Sequence, residues 1–538
     1  MALAATAALY ALTINNHWAI ERDSAAYLSL GQSVAEGRGM TFNGQSMWSL
    51  PPMVPFLIAG CRLIVGPDLW LINLVIKLFA VGAIAMTYLV VRRLATDLPE
   101  HIREGLAFGA ILIVGTSARL LRETAPILTD VVFLFWVTLA LYLFLRGREG
   151  HWAWCLAGGL VMLAACATRY VGVVLYGGMA LALAMDLRRP GGVRRLAAGL
   201  AGFDAMALGG LLAYGLFFKA QPAGGLLATL AAAPLEQWNT LVGGDKWVPL
   251  GGALVAVPTA FFETLVDQGI TGLGLAAFAV IAAGWVAAWR RREWLVTVPL
   301  ALYLAFLVAL GQGAVAPRYL LAFLPVLAYL LLRGTYSAAI WARSYWQRRK
   351  TPAAPAEDGS RSRTEQVALI AVVVLVMGIS LPKDVRQIYW MRHEPFYEVY
   401  EKGRWQRWVD LCAYLRAHGR PGMDVVGTAE TAVVSYLSGL PIRTELFQVD
   451  PRPNSLRYTL ASPSTFPAEV LGRLVAKSDI RFLVVPLHVT ATGAKLVGAA
   501  PGEMGEWSEQ AVRSLEATGV FLTPPQRFGD LALYERRP

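Results

Sequence analysis

The sequence predicts a mostly α-helical polytopic membrane protein, with about eleven transmembrane helices and a C-terminal extracytoplasmic α/β domain. Three observations predict it. Mean hydropathy is +0.49 over 538 residues, with 56% apolar and 16% charged side chains, outside the range of ordinary soluble domains. Apolar runs of the roughly 17–25 residues that cross about 30 Å of hydrocarbon as helix recur as far as Pro382. From Lys383 the pattern changes to short segments in which helical and strand periods alternate, as in a layered α/β domain.

Taken in order, the apolar runs place spans near 1–20, 69–91, 105–118, 127–145, 152–168, 171–187, 196–218, 270–289, 294–311, 317–332 and 365–382. The first lacks a basic leader and a small-residue cleavage site, so it reads as a retained span rather than a signal peptide. Pro52 to Val65 is apolar but too short to cross, and reads as an interfacial or re-entrant helix. Basic residues gather at Arg92-Arg93, Arg146 to Arg148, Arg188 to Arg195, Arg290 to Arg292 and Arg333 to Arg363. With the first span leaving the cytoplasm, all of these turns face inward and the loop 21–68 faces out. Trp residues at 18, 48, 70, 238, 247 and 285 lie near span ends, as interface anchors do. The implied domains are a transmembrane core at 1–345, a cytoplasmic linker at 346–364, a last span at 365–382 and an exported domain at 383–538. Within that domain Trp405 to Ala417 and Ser508 to Thr518 read as helices. Asp424 to Thr428, Arg481 to Pro486 and Leu531 to Glu535 read as strands.

The charge of +11 and pI near 9.5 do not point to nucleic acid. Lys383–Pro538 holds 19 Lys+Arg against 17 Asp+Glu, so the excess lies in the membrane part and belongs to topology. Cys61, Cys155 and Cys166 lie in apolar segments and Cys412 stands alone, which gives no disulfide framework and no metal-spaced thiol set.

Charge beside an apolar span is expensive and usually functional. The outward set comprises Glu21, Arg22, Asp23, Arg119, Arg122, Glu123, Asp130, Arg169 and Arg318, with Glu236, Asp245, Lys246, Glu263 and Asp267 in the 219–269 loop. Acids and arginines at one membrane face can activate a hydroxyl and hold a phosphate. Asp23 opens a helical pattern of Tyr27, Leu30 and Val34 that Gly37 and Gly39 end; it is a helix cap, a chemical group, or both. Arg169-Tyr170 and Arg318-Tyr319 each open a span from outside. Snorkelling accounts for a lone arginine there, whereas the forked guanidinium also suits a lipid phosphate. Glu123 is at i,i+4 spacing to pair with Arg119, beside Arg122, and Asp130 lies deeper, where an acid needs a partner, a metal or water.

Asp23 with Tyr27, Pro51-Pro52-Met53-Val54-Pro55, Asp130, Thr168-Arg169-Tyr170 and Pro317-Arg318-Tyr319-Leu320-Leu321 together resemble the GT-C-type membrane glycosyltransferases. The nearest branch is that of protein O-mannosyltransferases and lipid A aminoarabinose transferases, and the likeness covers most of 1–345. It implies inverting transfer of a sugar from a polyprenyl-phosphate donor to a lipid, protein or polysaccharide acceptor outside the membrane. Carried onto this chain, Asp23 is the general base, Arg318 and Arg169 hold the donor phosphate, and Asp130 orients substrate or helps hold a divalent cation. Tyr27, Arg122, Glu123, Tyr170 and Tyr319 complete the implied substrate-binding set. Ser24 stands where many relatives have a second acid, and Ser49-Leu50 where relatives often have Lys or His before the proline pair. Histidine clusters are absent from the sequence, which predicts no tightly bound catalytic metal. The competing classes are a transporter, for which no internal repeat is visible, and a glycan-polymer ligase or scaffold.

Overall fold

The computed structural model describes residues 2–16, 19–42, 45–47, 50–217, 250–267, 271–309, 317–350, 358–393, 405–420, 425–427, 431–440, 442–443, 480–486, 513, 515–522, 524–529 and 531–536. Glu236, Asp245 and Lys246, with Trp18, Trp48, Trp238 and Trp247, lie outside the described residues. In chain order the helices begin with α1 (Ala2–Ala11), α2 (Arg22–Ala35), α3 (Met53–Val65), α4 (Trp70–Leu94), α5 (Glu100–Gly115) and α6 (Ala118–Glu123). They continue with α7 (Asp130–Glu149), α8 (Ala153–Thr168), α9 (Gly172–Met185), α10 (Gly192–Phe217), α11 (Leu250–Val266) and α12 (Thr271–Arg290). The series ends with α13 (Trp294–Ala309), α14 (Pro317–Leu320), α15 (Leu324–Lys350), α16 (Asp358–His393), α17 (Gln406–His418) and α18 (Thr431–Ser438). The chain forms two compact units.

The first unit comprises Met1–His17, Leu50–Leu57 and Leu63–His393 and is a bundle of apolar helices. Among the described residues, five stretches are long and apolar enough to cross a membrane: Trp70–Leu94, Asp130–Glu149, Gly272–Arg290, Pro317–Trp346 and Thr364–Arg392. Shorter apolar helices accompany them, among them Ala153–Thr168 and Gly172–Met185. Helix α1 stops at Ala11, well short of the run expected to reach residue 20. Polar groups end it. The Thr13 hydroxyl donates to the Tyr10 carbonyl at 2.7 Å, and Asn16 Oδ1 accepts the N–H groups of Leu69 and Trp70 at 2.6 and 3.1 Å, capping α4. Helix α15 runs on to Lys350 and α16 begins at Asp358, so helix covers much of the stretch that composition alone reads as linker.

At the end of the bundle where α4, α7 and α12 finish, the basic turns find acids. Asp97 pairs with Arg291 and with Arg333 at 2.8 Å, and Arg333 is only 1% exposed. Arg148 pairs with Asp186 at 2.5 Å and donates to the Arg292 carbonyl at 2.7 Å. Arginines that sequence assigns to topology therefore also tie helix ends together. Halfway up, α12 and α15 cross backbone to backbone: a Cβ on Gly284 would meet the Leu330 carbonyl, and one on Gly334 the Val280 carbonyl.

The second unit comprises Trp18–Ser49, Ile58–Arg62 and Glu394–Pro538. A two-residue pairing joins Thr41–Phe42 (β1) to Gln45–Ser46 (β2). A five-stranded mixed sheet then uses β3 (Val425–Gly427), β4 (Ile442–Arg443), β5 (Ile480–Pro486), β6 (Gln526–Phe528) and β7 (Leu531–Glu535) in the order β4-β3-β5-β7-β6. The β3 strand lies parallel to β4 and β5, and β7 antiparallel to β5 and β6. Both neighbours cover β5, and Ile480, Phe482, Leu483 and Val484 are all fully buried, as a near-continuous apolar run requires. Helix α18 packs on α2, burying Val433 and Val434.

The glycine crossing gives a direct test. Gly284→Leu or Gly334→Val forces apart two backbones in contact, at a cost of about 1–3 kcal/mol; Gly378→Ala, where an added Cβ meets nothing within 4 Å, leaves stability unchanged or raised. Thermal unfolding in detergent reads the difference.

Candidate functional site

The site in the first unit starts from α6, a six-residue helix whose short length follows from its caps. Ser117 accepts the Leu120 N–H at 3.3 Å and donates to the Thr264 carbonyl at 3.3 Å, so α6 is tied to the end of α11. One face of α6 then presents Arg119, Arg122 and Glu123. Arg119 pairs with Glu123 at 2.6 Å, the i,i+4 contact that spacing allows, and both side chains are nine-tenths buried. Arg119 and Arg122 also meet Asp267, at 3.4 and 3.1 Å, one on each carboxylate oxygen.

Asp267 follows α11 in a left-handed backbone conformation, φ +52°, which costs a non-glycine residue of order 1 kcal/mol. Its surroundings hold it there. Its N–H bonds the Glu263 carbonyl at 2.7 Å, and Lys383 Nζ donates to the Val266 carbonyl at 3.2 Å and to the Asp267 carbonyl.

Asp130, 4% exposed, sits in the first turn of α7, where the helix dipole favours an acid. Its partner is Arg169, which ends α8 in extended backbone (φ −148°, ψ 126°). The guanidinium of Arg169 also lies 5.3 Å from the Tyr319 ring, and that of Arg318 5.2 Å from the same ring. Tyr319 is fixed in turn by Tyr303, whose hydroxyl donates to the Tyr319 carbonyl at 2.8 Å. Thr264 donates to the Pro317 carbonyl at 3.1 Å, and Tyr170 to the Leu50 carbonyl at 3.4 Å. Burial pushes the Glu123 carboxyl above its usual range; Arg119 opposes this, Asp130 adds to it, and Arg122 and Arg318 lie near enough to oppose it too.

Six of the sequence-identified residues thus come together in one unit: Arg122, Glu123, Asp130, Arg169, Arg318 and Tyr319, with Tyr170 adjoining. Asp23 and Tyr27 belong to the second unit, on α2. Asp23 is half-buried in the first turn of that helix and is not its cap. Glu21 takes the cap position, because its N–H finds the Ser24 hydroxyl at 3.1 Å. Tyr27 is 5% exposed, and Gly37 and Gly39 end the segment with φ of +76° and +72°.

Asp267 is among the outward charges in sequence without an assigned role, and Lys383, expected to open the exported domain, instead lies within α16 of the first unit. No local signal places either beside α6, since Asp267 is 148 positions from Arg119. The carboxylates do not fit a divalent cation: Asp130 is taken by Arg169, Glu123 by Arg119 and Asp267 by two arginines, and no three metal-ligand side chains gather among the described residues.

Residues 64–198, which include α6, Asp130 and Arg169, match the family of dolichyl-phosphate-mannose-protein mannosyltransferases. No curated protein matches the whole chain in sequence. The fold is similar to that of ArnT from Cupriavidus metallidurans bound to undecaprenyl phosphate, with TM-score 0.62 at 14% identity, over 99% of this chain and 97% of that one. It is also similar to the archaeal oligosaccharyltransferase AglB from Archaeoglobus fulgidus in complex with an inhibitory peptide and a dolichol-phosphate, with TM-score 0.55 at 12% identity, over 90% of this chain and 68% of that one. The chain therefore has the fold of GT-C glycosyltransferases, and the likeness read from its motifs is met independently by a family match and by structure.

Asp267→Ala leaves two largely buried arginines with one acid fewer. The expected loss is about 3–5 kcal/mol of stability, more than for Arg122→Ala, whose side chain is 30% exposed. Chemical unfolding of both variants and of the double variant measures the coupling.

Proposed function

We propose that this protein is an inverting membrane glycosyltransferase that moves a sugar from a polyprenyl-phosphate donor to an acceptor at the outer face of the membrane. In this reading the chain crosses the membrane about eleven times, its basic turns lie in the cytoplasm, and the chain beyond α16 forms an exported domain. The cytoplasmic linker at 346–364 joins the core to the last span.

One observation carries the reading. Around Tyr319 and α6, four arginines (119, 122, 169 and 318) gather in a largely buried setting, two of them oriented by Asp267, one by Asp130, and two lying within 5.3 Å of the Tyr319 ring. Such a set favours a dianionic or monoanionic phosphate over a neutral ligand. ArnT, which shares this fold, is known with undecaprenyl phosphate bound, and AglB with a dolichol-phosphate.

The chemistry follows from what leaves. As the glycosidic bond breaks, negative charge grows on the lipid phosphate, and guanidinium groups already oriented by Asp130 and Asp267 stabilise that charge without reorganising. Arg318 and Arg169 hold the phosphate and Arg122 borders it. Asp130 keeps Arg169 in place, and Tyr170 and Tyr319 shape the sugar side. The family resemblance gives Asp23 the part of the base that removes the acceptor proton, a step typically worth about 10²–10⁴-fold. The acceptor is a lipid, protein or polysaccharide hydroxyl or amine.

Two measurements test it. Asp23→Asn should lower transfer from a polyprenyl-phosphate sugar by at least about 10²-fold while leaving folding intact; normal turnover would remove Asp23 from the mechanism. Arg318→Ala should diminish the thermal stabilisation given by added undecaprenyl phosphate, and an unchanged response would place the phosphate elsewhere.

A further inference from the structure

The inner face of α16 carries a set of buried polar groups that the proposed chemistry does not use. Ser380, Asp384 and Gln387 recur at spacings of four and three residues and so share one stripe of the helix. Their exposures are 0%, 0% and 5%. Ser380 Oγ, both carboxylate oxygens of Asp384 and Gln387 Oε1 have no hydrogen-bond partner among the described residues. The hydroxyl of Tyr10 on α1 is equally buried and equally without a partner, and it lies within electrostatic reach of Asp384. Asn15, just beyond α1, donates to the Met391 carbonyl at 3.1 Å, so the first and last helices of the unit are joined one turn further along.

A carboxylate removed from water with nothing bonded to either oxygen costs several kcal/mol. The Lys383 ammonium offsets part of this by charge, but its Nζ bonds the carbonyls of Val266 and Asp267 and leaves both Asp384 oxygens without a donor. The unsatisfied atoms in this stripe are all oxygens, which is the donor preference of a hard cation. Only one of the groups carries formal charge. With the Lys383 charge also nearby, a monovalent ion adds the least excess charge to a low-dielectric setting, and a divalent ion would leave the site strongly positive.

We propose that Asp384, with Ser380, Gln387 and Tyr10, binds a monovalent metal cation of the sodium class, which links α1 to α16 and backs the Asp267 turn. This site is independent of the sugar-transfer reading: it predicts a cation effect on the folded protein whether or not the enzyme assignment holds.

The test uses the purified full chain in detergent. Unfolding temperature is followed while NaCl replaces N-methylglucamine chloride at fixed ionic strength and pH. A saturable rise of about 2–4 °C is expected for the wild type. Asp384→Asn, isosteric and uncharged, should abolish it, and Gln387→Leu and Tyr10→Phe should shift it to higher sodium. A wild type indifferent to sodium overturns the proposal, as does a rise that persists in Asp384→Asn. A stability that follows pH but not sodium would make Asp384 a proton site and equally overturn it.

Discussion

Charge can stay at the edge of an apolar bundle only if it is matched there, and the pairing of arginines with acids on α6, α7, α8 and the end of α11 is the constraint on which the rest of this structure depends. Asp267 is its centre. One carboxylate holds two guanidinium groups from α6, at 3.1 and 3.4 Å, while its own carbonyl is held by Lys383 of α16. Three helices far apart in sequence are thereby fixed through one residue in a backbone conformation that only tertiary contacts maintain. The Asp130–Arg169 pair does the same for the junction of α7 and α8.

Pairing also sets what the site can bind. Two guanidinium groups, those of Arg169 and Arg318, lie against the one Tyr319 ring, an arrangement of planar donors that suits an anion of fixed geometry. At the other end of the same helices Asp97 and Asp186 answer Arg148, Arg291 and Arg333, with Glu293 held by the Tyr329 hydroxyl, and there the pairing fastens turns rather than gathering around one aromatic ring. Similar residue types serve two purposes, separated by arrangement. In the second unit the arrangement is different again, since α2, which carries Asp23, packs on α18 of the sheet domain.

Much of this was legible in the sequence, and the exceptions have physical causes. Hydropathy located the membrane helices because burial in lipid acts on composition, and β5 and β7 were visible because buried strands are runs of branched and aromatic residues. Arg169-Tyr170 and Arg318-Tyr319 were legible because charge beside an apolar run is costly and therefore informative. The end of α1 was not, since it depends on Asn16 capping a helix more than fifty residues away. Nor was the cap of α2: Asp23 is the residue type preferred there, and only the Ser24 hydroxyl accepting the Glu21 N–H sets the helix start two positions earlier. The role of Asp267 was hidden most completely, because no local pattern encodes a left-handed aspartate bridging partners more than a hundred positions away.

The central claim is that the arginine cluster around Tyr319 receives a lipid-linked phosphate. Photocrosslinking with a diazirine-bearing polyprenyl phosphate, followed by peptide mapping, tests it most directly. Labelling confined to peptides carrying Arg119 to Asp130, Arg169-Tyr170 and Arg318-Tyr319, and suppressed by unlabelled undecaprenyl phosphate, is the predicted result. Labelling spread along the lipid-facing helices, or undiminished by the competitor, would contradict it.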